Sequence, residues 1–183
     1  MGSAVDSEHS GNWNGAIVNY HRAAQAMPKM GEPWLEIGYI DLQQGRFEEA
    51  KQSFTKSADL GFPVALHCVE HKLLSNKGGT ISIGPHELKF MSNGKEIYHV
   101  PVSQVVIARI GLAAFAGPNA YYFDLSFEGK KHRFEFLPSN AQCSFFNGDN
   151  LICSGNGLDQ QHAVAEWVQD AIGKYASGTP TNQ

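Results

Sequence analysis

The chain has 183 residues, with 18 acidic against 14 basic side chains, and its sequence pI is near 6.0. A net charge of −4 gives no overall attraction to nucleic acid or to anionic lipid, so nucleic-acid binding is not expected. The length allows one large or two small domains, three scattered cysteines are too few for a disulfide framework, and no apolar run reaches the ~20 residues of a membrane-spanning helix.

Two stretches near the amino end repeat the same packing pattern 34 positions apart. Small residues alternate with aromatic ones, which lets two helices approach closely while the rings fill the groove between them. The equivalent pairs are Gly11 and Gly45, Trp13 and Phe47, Ala16 and Ala50, Tyr20 and Phe54, and Ala24 and Ala58. This spacing predicts a helical repeat and favours binding over catalysis.

The second stretch carries the more complete motif. Trp34-Leu35-Glu36-Ile37-Gly38, followed by Gly45-Arg46-Phe47-Glu48-Glu49-Ala50 and then by Phe54, resembles one whole tetratricopeptide repeat. The run 56–61 is also similar to the related Sel1-like repeats.

The resemblance sets the expected bounds of the helical part. Residues 11–28 look like the second helix of an earlier repeat whose first helix is missing, and 64–75 are expected to form one further helix. We therefore assign 11–76 to tetratricopeptide-like repeats and expect 1–10 to be disordered or a remnant of expression. Because at least ~3 such repeats are normally needed for stability, something else must cover the exposed ends.

The resemblance also implies where a peptide ligand would bind. Members of the family hold peptides with residues on the first helix of each pair, and the matching positions are Leu35, Tyr39, Leu42 and Gln43. These candidates are mostly apolar and form no basic clamp, so an apolar helix or segment is the expected ligand.

Beyond Asn76 the apolar period changes from helical to two, which predicts short strands. Asn93-Gly94 and Glu128-Gly129-Lys130 predict hairpin turns between them. Cys143 and Cys153 fall where they would face each other across a further hairpin, and we favour two reduced thiols there.

An amphipathic helix closes the chain. Its apolar stripe consists of Ala163, Val164, Trp167, Val168, Ala171, Ile172 and Tyr175. About seven antiparallel strands followed by such a helix with a central Trp167 resemble a pleckstrin-homology or GRAM-like barrel, whose open end the helix plugs. We assign 77–177 to this domain and expect a disordered tail at 178–183. Another small β-sandwich or barrel with a capping helix stays open.

Lipid-binding members of the pleckstrin-homology family cluster basic residues around the turn that joins their first two strands. We identify that turn here as Gly84-Pro85-His86-Glu87, which has no such cluster. The run Lys130-Lys131-His132-Arg133 is more typical of a solvated hairpin edge. Membrane contact through the barrel is therefore the second hypothesis, behind protein binding.

His67-Cys68-Val69-Glu70-His71 matches the H-x-x-E-H pattern of inverted zinc peptidases. On a helix, His67 and His71 would share one face and could hold Zn²⁺, with Glu70 as the general base. The sequence offers no evident third ligand, so we expect neither a metal nor catalysis, and a zinc-dependent hydrolase is a remote alternative.

The segment 111–118 is apolar and bounded by glycine and proline. Exposed Leu112 and Phe115 would be unfavourable in water, and such patches commonly mark contact surfaces. Three interpretations stay open: a seam against the helical repeats, which we favour, a partner-binding loop, or a membrane-dipping loop.

The sequence thus predicts an α+β protein of two domains. A short tetratricopeptide-like superhelix precedes a pleckstrin-homology-like antiparallel β-barrel capped by a carboxy-terminal helix. We interpret the chain as a non-catalytic adaptor or scaffold, without cofactor or metal, that binds a protein or peptide and acts in the cytoplasm.

Overall fold

Four helices form the amino-terminal part of the protein, which a computed structural model describes over residues 2–72, 76–113, 120–136, 143–146, 150–153 and 157–177. Each helix packs on the next along the chain. They are α1 (Gly2–His9), α2 (Trp13–Ala26), α3 (Glu32–Gln43) and α4 (Phe47–Asp59). The helix predicted within 11–28 and the two helices of the repeat motif are confirmed.

Equivalent residues before and within α2 and α4 have the same structural role. Gly11 and Gly45 both adopt a left-handed backbone, with φ of 72° and 73°, in the turns that precede these helices. Glycine adopts this conformation without the steric penalty of a Cβ atom. The small and aromatic residues that follow are buried, namely Ala16, Tyr20, Ala24, Ala50, Phe54 and Ala58. The 34-residue spacing therefore marks two helices with matching buried faces.

Residues 2–9 form α1, so the prediction that 1–10 are disordered is wrong for this segment. Ala4 is fully buried in a small apolar cluster with residues of α2 and α3. The Asn19 side-chain amide donates a hydrogen bond to the carbonyl oxygen of Ser3 at 3.2 Å. α1 thus covers the side of α2 for which the sequence offered no helix. Its few apolar residues give no helical period, which is why the sequence did not reveal it.

The remainder of the described chain contains one sheet, one separate hairpin and one long helix. The strands are β1 (Val64–His71), β2 (Asn76–Ile83), β3 (Glu87–Ser92), β4 (Lys95–Pro101), β5 (Val106–Ala113), β6 (Ala120–Phe127), β7 (Lys130–Phe136), β8 (Cys143–Phe146) and β9 (Asn150–Cys153). β1 to β7 form an antiparallel sheet in the order β4-β3-β2-β1-β7-β6-β5. β8 pairs with β9, and Cys143 lies opposite Cys153 in that register, an arrangement that the sequence left open.

The described strands do not close into a barrel. β4 and β5 are the two edges of the sheet and do not pair with each other. The closed β-barrel that we predicted is therefore wrong for these residues, although the antiparallel strands are confirmed. The predicted turns are also confirmed, since Asn93-Gly94 and Glu128-Gly129 both have the positive φ angles of tight hairpins, between 50° and 72°.

Residues 64–71 form a strand, so the helix predicted over 64–75 is wrong. Leu66 and Cys68 alternate towards the core, and β1 pairs with β2 on one side and with β7 on the other. Those two sets of backbone hydrogen bonds place β1 inside the sheet. The sheet therefore begins within the range 11–76 that we assigned to helices. The predicted tail at 178–183 lies outside the described residues.

The last helix, α5 (Gly157–Ala176), contacts both the sheet and α4. Its predicted apolar stripe is buried, comprising Ala163, Val164, Trp167, Val168, Ala171, Ile172 and Tyr175. One apolar core runs from α3 and α4 through α5 into the sheet. The two predicted domains therefore share a core. Within the described residues, every helix is too short or too polar to cross a membrane.

Charged contacts reinforce the junction between α4 and α5. Lys51 Nζ lies 3.0 Å from Glu166 Oε2, and Lys174 Nζ lies 2.7 Å from both carboxylate oxygens of Asp59. The Tyr175 hydroxyl also donates to Asp59, at 2.9 Å. These contacts involve the second turn and the last residue of α4, so the helix is held against α5 at two points.

Candidate functional site

The predicted peptide-binding residues lie on a face of α3 that contacts the protein's own core. Leu35 and Leu42 are only 7% and 4% exposed and belong to the shared core. The Tyr39 hydroxyl donates a hydrogen bond to the carbonyl oxygen of Ala65 in β1, and Gln43 is half-buried. An open peptide groove is therefore not present at these four positions, because the chain itself covers the apolar surface that the sequence revealed.

Tyr39 is held firmly in this contact. Its ring lies edge-on against Phe54, with ring centroids 5.4 Å apart. Burial and, to a lesser extent, the negative charge of Glu36 raise the pKa of Tyr39 to about 12, against the hydrogen bond to Ala65, which lowers it. The neutral hydroxyl is thus an anchor between α3 and β1.

Another side of α3 forms the floor of a groove that opens to solvent. A groove of about 690 Å³ runs between α2 and α4, with α3 as its floor. We call it the α2–α4 groove, and its principal lining residues are Ile17, Val18, Trp34, Ile37, Glu49 and Lys56. Sequence reasoning missed this site. Trp34, Ile37 and Glu49 belong to the repeat motif, but Ile17, Val18 and Lys56 do not, and the six residues come together only when three helices pack.

The groove has an exposed apolar surface. Val18 is 49% exposed although it lines a concave surface, and Ile17 and Trp34 are only partly buried beside it. The ring of His21 meets the ring of Trp34 edge-on, with centroids 5.4 Å apart. Concave apolar surfaces with a few polar groups at the rim are typical of binding sites.

The two ends of the groove differ in charge. At one end, Arg46 Nε donates to Asp41 Oδ1 at 2.8 Å. Burial raises the pKa of Asp41, the hydrogen bond and charge of Arg46 lower it, and the nearby Glu49 raises it. Towards the other end lies Lys56, in the last turn of α4. Arg46 neutralises the charge of Asp41. Among the described side chains, Glu49 is therefore the unpaired negative group near this salt bridge, and Lys56 is the positive group near the other end of the groove.

The H-x-x-E-H residues do not converge on a common point. In β1 the side chains of His67 and His71 lie on the outer face of the sheet, whereas Glu70 points inward and is 1% exposed. His71 Nε2 lies 2.9 Å from Glu135 Oε2. A strand places alternate residues on opposite faces, so the helical arrangement that the zinc hypothesis requires is not formed. Within the described residues, no group of three His, Cys, Asp or Glu side chains is placed to hold a metal.

Glu70 instead belongs to a buried polar cluster inside the sheet. Tyr98 Oη donates to Glu70 Oε1 at 2.8 Å, and His132 Nδ1 lies 2.9 Å from the same oxygen. Lys72 Nζ approaches the other carboxylate oxygen at 3.4 Å. Phe127 stacks on the His132 ring, with centroids 4.0 Å apart. No motif in the sequence marks this cluster, since Glu70, Tyr98, Phe127 and His132 come from four strands, β1, β4, β6 and β7.

The basic run at 130–133 is only partly paired within the protein itself. Arg133 makes two hydrogen bonds to the carboxylate of Asp124, at 2.8 and 3.1 Å, and Lys131 Nζ lies 2.7 Å from the same group. Burial raises the pKa of Asp124, but the hydrogen bonds and charges of Arg133 and Lys131 lower it more. His132 is buried, and Lys131 and Arg133 share the single carboxylate of Asp124, so the exposed Lys130 leaves this run with a net positive charge.

Two further predictions concern the turn between the first two strands and the contact loop. β1 precedes β2, so 84–87 joins the second strand to the third and not the first to the second, and our assignment of that turn was wrong. Leu112 belongs to β5, where its backbone pairs with Tyr121. The Leu112 side chain and the whole of Phe115 lie outside the described residues, so the contact-loop hypothesis stays a prediction.

Comparison with known proteins adds no assignment to this geometry. Neither the known protein-family models nor the curated proteins include a match to this chain.

Proposed function

We propose that this protein is a non-catalytic interaction adaptor that binds a segment of a partner protein in the α2–α4 groove. The half-exposed Val18 within a concave, partly apolar surface is the observation that carries the proposal. Water contact with that surface is unfavourable, and a partner that covers it gains roughly 25 cal/mol for each Å² of apolar area buried.

In this proposal the helical part works as a tetratricopeptide-like module that uses an unusual face. The face with Leu35, Tyr39 and Leu42 contacts the sheet and the core, which leaves the groove between α2 and α4 for a ligand. The sheet and α5, which resemble a pleckstrin-homology domain, would then act as a brace. The charged contacts between α4 and α5 support that role, since they hold one wall of the groove in place.

A site-specific photo-crosslinker tests this proposal. A photoreactive amino acid at Val18 should capture partner proteins in cells, whereas the same group at Val106, a valine of β5 that is 62% exposed, is the matched control. The captured partner is then purified, and its affinity is measured by calorimetry. We expect Val18→Glu to weaken binding by about tenfold or more and Val106→Glu to leave it unchanged. Equal affinity for the Val18→Glu variant and the parent chain would overturn the proposal.

Vesicle sedimentation separates this function from membrane attachment. The adaptor proposal expects the chain to stay in the supernatant with vesicles of neutral or acidic phospholipid at physiological salt. Sedimentation that Val106→Glu prevents and Val18→Glu does not would favour a lipid-binding sheet in place of the groove.

A further inference from the structure

The geometry points to the class of ligand, and this inference rests on the proposed function of the same groove. We propose that the α2–α4 groove binds an amphipathic α-helix that places a basic side chain opposite Glu49 and an acidic side chain opposite Lys56. The helical form follows from the walls of the groove, and the order of charges follows from its two ends.

The walls favour a helix because they offer side chains and almost no free backbone groups. α2, α3 and α4 use their backbone N–H and C=O groups within each helix. An extended peptide in the groove would bury its own backbone groups without partners, which costs free energy for each group. A helix satisfies these groups internally and needs only side-chain contacts.

The apolar surface of the groove can accommodate a ridge of side chains from a packed helix. Ile17, Val18 and Trp34 supply apolar surface between two helices that flank a third. Side chains spaced three and four apart on a helix form such ridges and pack into grooves at axis separations of roughly 8–10 Å. The ligand is therefore expected to carry apolar residues at that spacing on one face.

The charges give the ligand a direction. Glu49 lies in the first turn of α4, near the Asp41–Arg46 pair, and Lys56 lies in the last turn of the same helix. Both Glu49 and Lys56 are exposed. Among the described residues, the ion pairs of α4 are made by Lys51 with Glu48 and Glu166 and by Asp59 with Lys174, and they leave Glu49 and Lys56 unpaired. They are two helical turns apart on α4, roughly 10 Å at 1.5 Å per residue. A ligand with complementary charges two turns apart gains at both ends, whereas the reversed ligand meets like charges at both.

Selection from a displayed library of short helical peptides tests the inference without a known partner. The library has fixed helix-forming positions and randomised positions on one face, and it is selected separately against the parent chain and against the E49K/K56E double variant. A second double variant, D170K/K130E, reverses two exposed charges elsewhere and keeps the same net charge. Thermal unfolding confirms that each variant is folded before selection.

We expect the parent and D170K/K130E to select helices with one charge order and E49K/K56E to select the opposite order. A peptide from the parent selection should bind E49K/K56E about fivefold more weakly or worse, and reversal of the peptide's two charges should restore the affinity. Neutral E49Q/K56Q should select apolar helices with no preferred order. The same order from the parent and from E49K/K56E would overturn the inference and leave the proposed function standing, provided that Val18→Glu abolishes peptide binding. If no selected helix loses binding in Val18→Glu, both the inference and the proposed function fail.

Discussion

The indole ring of Trp167 lies edge-on against the ring of Phe54, with centroids 5.6 Å apart and planes at 63°. Trp167 belongs to α5 and Phe54 to α4, and both are almost completely buried. The indole N–H also donates to Thr55 Oγ1 at 3.2 Å. This contact joins the helical part to the helix that covers the sheet, so the two parts are expected to unfold together.

Replacement of Phe54 by alanine tests that coupling. Removal of a buried aromatic side chain costs about 3–5 kcal/mol of unfolding free energy, through lost transfer energy and the cavity left behind. Urea denaturation followed by tryptophan fluorescence and by far-UV circular dichroism should show both transitions shifted together. Val106→Ala, at an exposed position, should change stability by less than about 1 kcal/mol. Separate transitions for the two probes in the parent chain would show that the shared core does not couple the two parts.

Two helical glycines should respond in opposite ways to the same substitution. A Cβ atom at Gly38 in α3 would lie 2.5 Å from the ring of Phe54, whereas a Cβ at Gly173 in α5 would meet nothing within 4 Å. Alanine favours a helix by about 1 kcal/mol over glycine. Gly173→Ala is therefore expected to stabilise the protein slightly. Gly38→Ala should destabilise it by about 1–3 kcal/mol, because Phe54 is fixed by its neighbours and cannot move aside.

Thermal unfolding of the two variants under identical conditions measures both effects. Both substitutions add the same methyl group to a helix, so helix propensity cannot explain a difference in stability between the two variants. A gain in stability for Gly38→Ala would mean that α3 and α4 can separate easily, which contradicts their close packing.

Some of this fold was predictable because the deciding contacts are local in sequence. Gly45 and Phe54 lie within one helical hairpin, and Asn93-Gly94 sets its hairpin turn by its own backbone preference. β1 was mistaken for a helix because Leu66 and Val69 are three residues apart, which fits a helical stripe, whereas in the strand they are buried on opposite faces. The strand is decided by pairing with β7, which lies some sixty residues further along the chain.

The candidate site was harder to predict for a related reason. Leu35 and Leu42 are apolar, and the sequence shows that something must cover them but not what does so. The structure places them in the shared core with the sheet and α5. Val18 had no motif to mark it, and it becomes notable only because α2 and α4 flank α3 and leave it half exposed.

The buried pair of Glu70 and His132 should show strong coupling in a double-mutant cycle. Glu70→Leu removes the acceptor for both His132 and Tyr98, and the loss of one partner of a buried pair costs about 3–5 kcal/mol. His132→Leu alone leaves the carboxylate with Tyr98 and Lys72. Since each single change removes the same contact, the double variant should be less destabilised than the sum of the two by about 1–3 kcal/mol.

Urea denaturation of the four proteins of the cycle gives the coupling energy directly. A matched cycle uses Glu87 and His99, which lie 2.8 Å apart on the exposed surface of β3 and β4. That pair should couple by less than about 1 kcal/mol because solvent screens it. Equal coupling in the two cycles would show that the interior position of Glu70 adds nothing.

Tyr39 should make the protein sensitive to alkaline pH. Its pKa is near 10 in an unfolded chain and is raised to about 12 in the folded protein, chiefly by burial. Between these values the unfolded state has released the proton and the folded state still holds it. Stability is therefore complete below pH 10 and falls as the pH rises to about 12, by up to roughly 1.4 kcal/mol per pH unit for one such group. Burial also raises the pKa of Tyr98 and Tyr175, so these residues add to the same loss.

Tyr39→Phe isolates the contribution of this one hydroxyl. At neutral pH the variant loses the hydrogen bond to Ala65 and should be about 0.5–1.5 kcal/mol less stable than the parent. Above pH 10 the parent should lose stability more steeply, so the gap between the two proteins should close and then reverse. Urea midpoints of both proteins, measured across that pH range, show whether the gap in stability closes. Parallel pH curves for the two proteins would mean that Tyr39 ionises freely in the folded state, and the contact between α3 and β1 would then be open to solvent.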